Sequence, residues 1–377
     1  MVKKFSKLLM FSCIGLMSVS VAQASDIDSR GELQNLRQRL ERLEGQGAAE
    51  VSEEGEEETL FTIFTEDKTL SFWGELVINA FHSETDGEDS SSDLVVDTAA
   101  LGADIQLSDK VGGHIVFLDE EGEAGEFDFG VDEANIVLRP WEVAGGGVSF
   151  VLGKAYLPFG QFNSSMITDP LTLELGETNN TIAMVGWAND LLEVNLGVFN
   201  GETDLDGSRD FIDSSFASLR VTPMEMISVG VSYISDLAES DGELVDSNIA
   251  GTYTSTVPGF AAFISLEVGP VTIDLEHVTA LEEFDQDVVG ADDMDVLSGK
   301  KPSASNVEVA FSPIDQLDLA VRYEKATDYE EDVTRYGITV SYSIFGNAVI
   351  ALEYLAESPD EGSDDTQTVT SQLAFEF

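Results

Sequence analysis

The stretches "LDLAVRYE" (residues 317–324) and "RYGITVSY" (residues 335–342) alternate strictly. In an extended chain Leu317, Leu319, Val321 and Tyr323 fall on one side, while Asp318, Ala320, Arg322 and Glu324 fall on the other. Tyr336, Ile338, Val340 and Tyr342 oppose Arg335, Gly337, Thr339 and Ser341 in the same way. Leu192, Val194, Leu196 and Val198 repeat the pattern against Glu193, Asn195 and Gly197, and Ile350, Leu352 and Tyr354 against Ala351 and Glu353. Each segment has one apolar and one polar face and is about ten residues long, the length of a tilted strand crossing a bilayer.

Connection lengths separate a membrane barrel from a soluble β-sandwich with the same alternation. Ser108-Asp109-Lys110, Asn189-Asp190, Thr222 to Glu225, Ser312 to Asp315 and Phe345-Gly346 are tight, and long acidic loops come between them. Short periplasmic turns alternating with long outward loops are the pattern of outer-membrane barrels. The chain ends "SQLAFEF", with Leu373, Phe375 and Phe377 on one face, and a terminal phenylalanine resembles the signal read by the barrel-assembly machinery. Seventeen candidate strands can be drawn from residue 69 onward, among them 246–255, 260–268 and 271–279. A single-chain bacterial barrel needs an even number. The expectation is therefore an all-β fold, a 16-stranded transmembrane antiparallel barrel over 69–377, with 256–269 as an excursion at the periplasmic rim or part of one irregular strand. Eighteen strands is the other even count.

Residues 1–24 read as a signal peptide: Lys3, Lys4 and Lys7, an apolar run from Leu8 to Val21, and Ala22-Gln23-Ala24 before the cut. The run is shorter than the roughly 20 residues of a spanning helix. A lipoprotein reading through Cys13 lacks small residues before the cysteine. Cleavage removes this sole cysteine, leaving neither disulfide nor thiol chemistry. The formal charge of −54 excludes a nucleic-acid binder, which needs a basic face. A hydrophobic content of 43% argues against disorder of the whole chain, so the acid must be concentrated, and it sits in runs such as 82–93, 119–128, 236–243, 282–295 and 357–365. Asp204-Leu205-Asp206-Gly207 begins like a calcium loop but lacks the glutamate an EF-hand requires.

Between signal and barrel, Leu33, Leu36, Leu40 and Leu43 within 25–44 make an a/d seam over two heptads. So short a helix needs partners held close by something else. It reads as a periplasmic coiled coil, in keeping with a homotrimer, or as an amphipathic helix lying on its own barrel. The acidic tract 45–68 reads as a flexible linker.

One long connection, 157–180, is neither acidic nor a turn. Leu157, Phe159, Phe162, Met166, Ile167, Leu171, Leu173 and Leu175 are too apolar to stand in water, so the segment must pack against something. Its position on the outward side of an early strand suits a loop folded into the lumen to constrict it; an outward cap or a trimer latch also fits. "GKAYLPFGQF" and "MITDPLTLELGET", within 153–178, resemble the signature of LbtU-type siderophore porins, outer-membrane barrels linked to ferric siderophore uptake. The resemblance implies passive or facilitated diffusion of a ferric siderophore or similar small chelate, with Tyr156, Pro158, Phe159, Gly160, Asp169, Pro170, Glu174, Leu175, Gly176 and Glu177 at the family's motif positions. Nothing in the residues adds the folded N-terminal plug of an energy-coupled receptor.

Two alternatives stay beside that reading: a general or cation-selective porin, favoured by the acid, and a structural protein binding divalent cations and lipopolysaccharide. A polycarboxylate chelate would need basic groups against the acidic field. Arg322 and Arg335 fall on polar faces, with Arg139 and Arg220 nearer the periplasmic end, either as a basic ladder for substrate or as partners of carboxylates such as Glu133, Asp318 and Glu324. Lys154 has outward parity unless Gly153 marks a bulge. His82, His114 and His277 are the only histidines, and no serine setting accompanies them, so no catalytic, metal or cofactor site is expected.

Overall fold

The computed structural model describes residues 61–65, 68–87, 89–120, 129–201, 203, 212–242, 244–245, 253–285, 297–329, 332–359 and 364–377. The signal, the seam of Leu33, Leu36, Leu40 and Leu43, and Asp204 to Gly207 lie outside them.

Sixteen strands close one antiparallel barrel. They are β1 (Lys68–Thr85), β2 (Ser91–Ser108), β3 (Val111–Glu120), β4 (Gly130–Leu138), β5 (Gly146–Tyr156), β6 (Asn179–Ala188), β7 (Leu192–Phe199) and β8 (Ser214–Met224), followed by β9 (Ile227–Ile234), β10 (Gly259–Val268), β11 (Val271–Ala280), β12 (Ser303–Ile314), β13 (Leu317–Thr327), β14 (Val333–Ile344), β15 (Ala348–Pro359) and β16 (Thr366–Glu376). Each pairs with the next, and β16 returns to β1 with Phe375 opposite Leu76. Phe377 finishes the seam: its backbone exchanges hydrogen bonds of 2.7 and 2.9 Å with Gly74, and its ring lies where a Gly74 side chain would have to go.

Alternation decides which side chains meet lipid. Val321, Tyr323, Tyr336, Ile338, Val340, Leu352 and Tyr354 are exposed on the outer surface, while Arg322, Glu324, Thr339 and Glu353 are buried on the inner face. Similar exposed apolar residues recur around the ring from Leu101 and Ile136 to Leu196, Ile264 and Leu373. A closed apolar belt of this kind is complementary to a bilayer, and strand pairing leaves no unpaired edge inside it.

The structure corrects the sequence reading in three places. Residues 259–268, expected within 256–269 as a rim excursion or part of one irregular strand, form the full barrel strand β10, joined to β11 by the tight turn at 269–270. The surplus candidate was 246–255. Its described residues 253–255 are not strand, and Tyr253 and Val257 are buried in a cluster with Leu237, Leu244 and Phe284. Second, Phe61–Thr65, expected inside the flexible linker 45–68, is a strand paired with the start of β1, from Phe61 opposite Phe72 to Thr65 opposite Lys68. It continues the wall below the point where β16 ends. Third, Asn179 and Asn180, expected in the long connection, already belong to β6, so that connection is 157–178.

Candidate lumen site

The connection 157–178 leaves the barrel wall and returns to it at its own base, where the Leu157 amide donates to the Thr178 carbonyl at 2.9 Å. Between these points the chain is mostly irregular, broken by one six-residue helix, α1 (Leu171–Gly176). An irregular buried segment has no ladder to satisfy its backbone, and each buried N–H needs an acceptor. Here the acceptors are inward-facing side chains of strands far along the chain.

Gly160 N donates to Ser232 Oγ on β9 at 2.9 Å. Gln161 N and Phe162 N donate to the two oxygens of Glu276 on β11, at 2.6 and 2.8 Å. Ser165 N and Ser164 Oγ donate to Glu308 on β12, at 2.5 and 2.8 Å. Ile167 N donates to Glu353 on β15 at 2.6 Å, and Leu171 N to Glu324 on β13 at 2.7 Å. Four buried glutamates thus grip one loop by its amides, and hydrogen bonds to ionised acceptors are the stronger kind. The tight turn at the loop's entry needs Gly160, whose φ is +83° and whose missing side chain leaves room for the Phe162 ring.

Cations complete the arrangement. Arg322, buried on β13, donates to the Thr168 and Asp169 carbonyls at 2.7 and 3.1 Å and lies 3.0 Å from Glu324 and 3.8 Å from Glu308. Arg335 on β14 pairs with Glu174 of α1 at 2.7 Å and with Glu357. On its other face the loop is apolar: Leu157, Phe159, Phe162, Leu171, Leu173 and Leu175 pack with Leu237, Val257, Phe284 and Tyr329 from the later loops and strand ends. Met166 reaches the inner wall of β14, where it would collide with any side chain at Gly337.

The residues singled out in the sequence divide into two groups. Asp169, Glu174, Arg322 and Arg335 meet in the loop-wall network just described. Tyr156, Pro158, Phe159, Glu177 and Arg220 line a cavity of about 70 Å³ at the base of the loop, with Ser218, Ser232 and Phe263. That volume holds a few waters, far short of a chelate. Arg220 reaches Gln161, lies 3.9 Å from Glu193 and stands over the Phe263 ring at 5.5 Å. Arg139 joins neither group; its backbone N–H donates to Lys110 between two periplasmic turns. Lys154 donates to the Val131 carbonyl, beside a Gly153 whose φ is +131° and where a side chain would come within 2.2 Å of the Ala134 carbonyl oxygen.

Among the arginine partners proposed from sequence, Glu324 is one, whereas Asp318 accepts from Ser312 and Glu133 faces His114. Glu276, Glu308 and Glu353 escaped the reading. Their signal was present, a glutamate on the inward parity of a strand whose outward neighbours are apolar, but nothing local distinguished a loop holder from a hydrated lumen carboxylate.

Comparison with known proteins places the fold. No family model matches the chain. A UPF0422 protein of Coxiella burnetii is 26% identical over 218 residues, covering 54% of this chain and 46% of that protein, so the chain spans about half the length of this curated relative. The outer-membrane channel DcaP of Acinetobacter baumannii superposes with a TM-score of 0.63 at 14% identity, over 84% of this chain and 100% of that one. An anion-selective porin of Comamonas acidovorans gives 0.59 at 12%, over 82% and 100%. OmpT of Vibrio cholerae in its trimer form gives 0.53 at 14%, over 83% and 100%. The closed 16-stranded barrel is the fold of outer-membrane porins.

Proposed function

We propose that this chain is an outer-membrane diffusion pore whose bore is set by residues 157–178. The observation behind it is the loop's attachment: glutamates of β11, β12, β13 and β15 hold its backbone against the inner wall, so the loop occupies lumen that the barrel would otherwise leave open. For the solute, the resemblance of 153–178 to LbtU-type siderophore porins supports a ferric siderophore or similar small chelate. Lipid and lipopolysaccharide surround the belt, a homotrimer is the assembly proposed, and Phe377 is offered to the assembly machinery before it closes the seam.

A specific observation favours a second reading, a general cation-preferring pore. Arg220, Arg322 and Arg335 each have a carboxylate within 4 Å, so the basic ladder a polycarboxylate chelate would need is engaged in holding the protein together. Planar-bilayer recording of the refolded mature protein distinguishes the two. Block by a ferric polycarboxylate siderophore, absent with its iron-free form, supports the chelate reading. A cation-selective reversal potential with no response to the chelate supports the second. Negligible conductance in every salt overturns both and leaves a structural envelope protein.

A further inference from the structure

The lipid-facing wall of β5–β9 carries a shallow apolar groove of about 590 Å³. Register explains it. One row of outward side chains runs Leu152, Ala183, Val198 and Ser215 from β5 to β8. The next row towards the periplasm runs Phe150, Val185, Leu196, Ala217 and Tyr233 from β5 to β9. Small residues at Ala183, Ser215 and Ala217 thus form a floor, and Leu152, Leu196 and Tyr233, 47%, 52% and 39% exposed, stand around it. On β13–β16 the outward row Val321, Ile338, Tyr354 and Val369 holds no small residue, and the belt there is filled.

A cation stands at the outer end of the groove. Lys154 follows Leu152 on the same face of β5 and lies opposite Thr181 on β6. The ladder is unbroken from Gly147 to Tyr156, so Gly153 introduces no bulge and Lys154 keeps the outward parity of Phe150 and Leu152. Because β5 ends at Tyr156, this ammonium lies where outer-leaflet headgroups meet the wall. Its Nζ donates to the Val131 carbonyl at 3.0 Å, which uses one of its three N–H donors. Nearby Asp132 is already engaged, accepting from the Tyr156 hydroxyl and the Asn179 amide at 3.0 and 2.9 Å. The chain holds 18 lysines and arginines against 72 acidic residues, so a cation on its lipid-facing side does not follow from composition. Snorkelling to the interface accounts for a lysine at this depth, but not for the depression beneath it.

An apolar groove for a hydrocarbon chain, topped by an ammonium with donors to spare, matches a lipid whose acyl chains hang from a phosphorylated headgroup. We propose that Lys154 and this groove bind one phosphorylated glycolipid of the outer leaflet, with a phosphate at Lys154 and an acyl chain over Ala183 and Ala217. A second copy of the chain could cover the same face, but its apolar belt would bring no anion to Lys154. The site rests on the membrane placement of the barrel and not on what the lumen passes.

Native mass spectrometry of the refolded protein in detergent and EDTA, titrated with diphosphoryl lipid A, tests this. Saturable binding is expected, weakened about tenfold in Lys154→Gln, the loss of one hydrogen bond to a charged group. Ala217→Phe, which fills the groove from the lipid side and leaves the interior alone, should weaken it as well. Lys301→Gln, exposed just before β12, should bind as the parent does. Lipid A stripped of its phosphates should bind the parent as weakly as the intact lipid binds Lys154→Gln, and inorganic phosphate should not compete. Binding unchanged in Lys154→Gln and Ala217→Phe overturns the site, as does binding that requires magnesium and ignores both variants, which would place the lipid on the acidic loops. An oligomer that dissociates in Ala217→Phe while lipid binding stays intact also overturns it and seats a second copy in the groove. Conductance of both variants should match the parent's, because the groove lies outside the lumen. Loss of the site therefore leaves the pore standing, and lipid binding without any conductance keeps the site and overturns the pore.

Discussion

Arg322 shows what a single inward-facing residue does in this barrel. Its side chain is fully buried, as are those of Glu308 and Glu324 to within 1%. It is at once the countercharge for two wall glutamates and the donor to two loop carbonyls. Removing one member of a buried ion network leaves the others charged in a poorly solvating place, at a cost of about 3–5 kcal/mol. Arg322→Met is therefore expected to release the loop. Amide exchange at Ser165, Ile167 and Leu171 should accelerate while the barrel amides stay protected. Pairing it with Glu308→Gln should recover part of the loss, since the two positions are coupled and their effects should not add. Unchanged exchange in Arg322→Met would mean the glutamates hold the loop alone.

At the scale of the element, 157–178 is two-faced in a way that neither strand nor helix is. One side presents backbone amides to carboxylates, and the other presents apolar side chains to a cluster built from the later loops. The short helix α1 supplies Glu174 to Arg335 and Leu171, Leu173 and Leu175 to the cluster. Deleting 163–176 removes the amides that engage Glu308, Glu353 and Glu324 and keeps those of Gln161 and Phe162 on Glu276, and single-channel conductance should rise if this segment narrows the path. An unchanged conductance places the constriction elsewhere. The glutamates freed by the deletion would face water in the widened lumen, so the deletion should shift selectivity toward cations.

For the whole molecule, closure and surface belong to the barrel, and association is a separate matter. Pairing of β16 with β1 completes the hydrogen bonding and requires no second chain. Truncating 25–44 asks whether the leucine seam adds to this. Cross-linking and sedimentation in detergent should shift from trimer toward monomer if the seam zips protomers together. A trimer that survives shows that the barrels associate through their own walls.

Fold legibility followed from period. Leu317 to Tyr342 alternate because every barrel strand faces lipid on one side and lumen on the other, a constraint felt within a few residues. The apolar run Leu157 to Leu175 announced that this connection was packed, again from local composition. Where the sequence reading failed, at 246–255 and 256–269, there was one more strand-length candidate than the barrel has strands, and nothing local said which of them lay in the wall.

Membrane architecture, an even strand count and the existence of a packed long loop were thus determined by the sequence alone, since they depend on neighbours in the chain. Only the tertiary structure decided which carboxylates grip the loop, because Gln161 and Glu276 are 115 residues apart and Ile167 and Glu353 are 186 apart. It also decided that Arg322 and Arg335 are bound to wall and loop, and that His114 lies between Asp104 and Glu133 on the other side. Such meetings are fixed by register summed around a closed barrel, which no local period encodes.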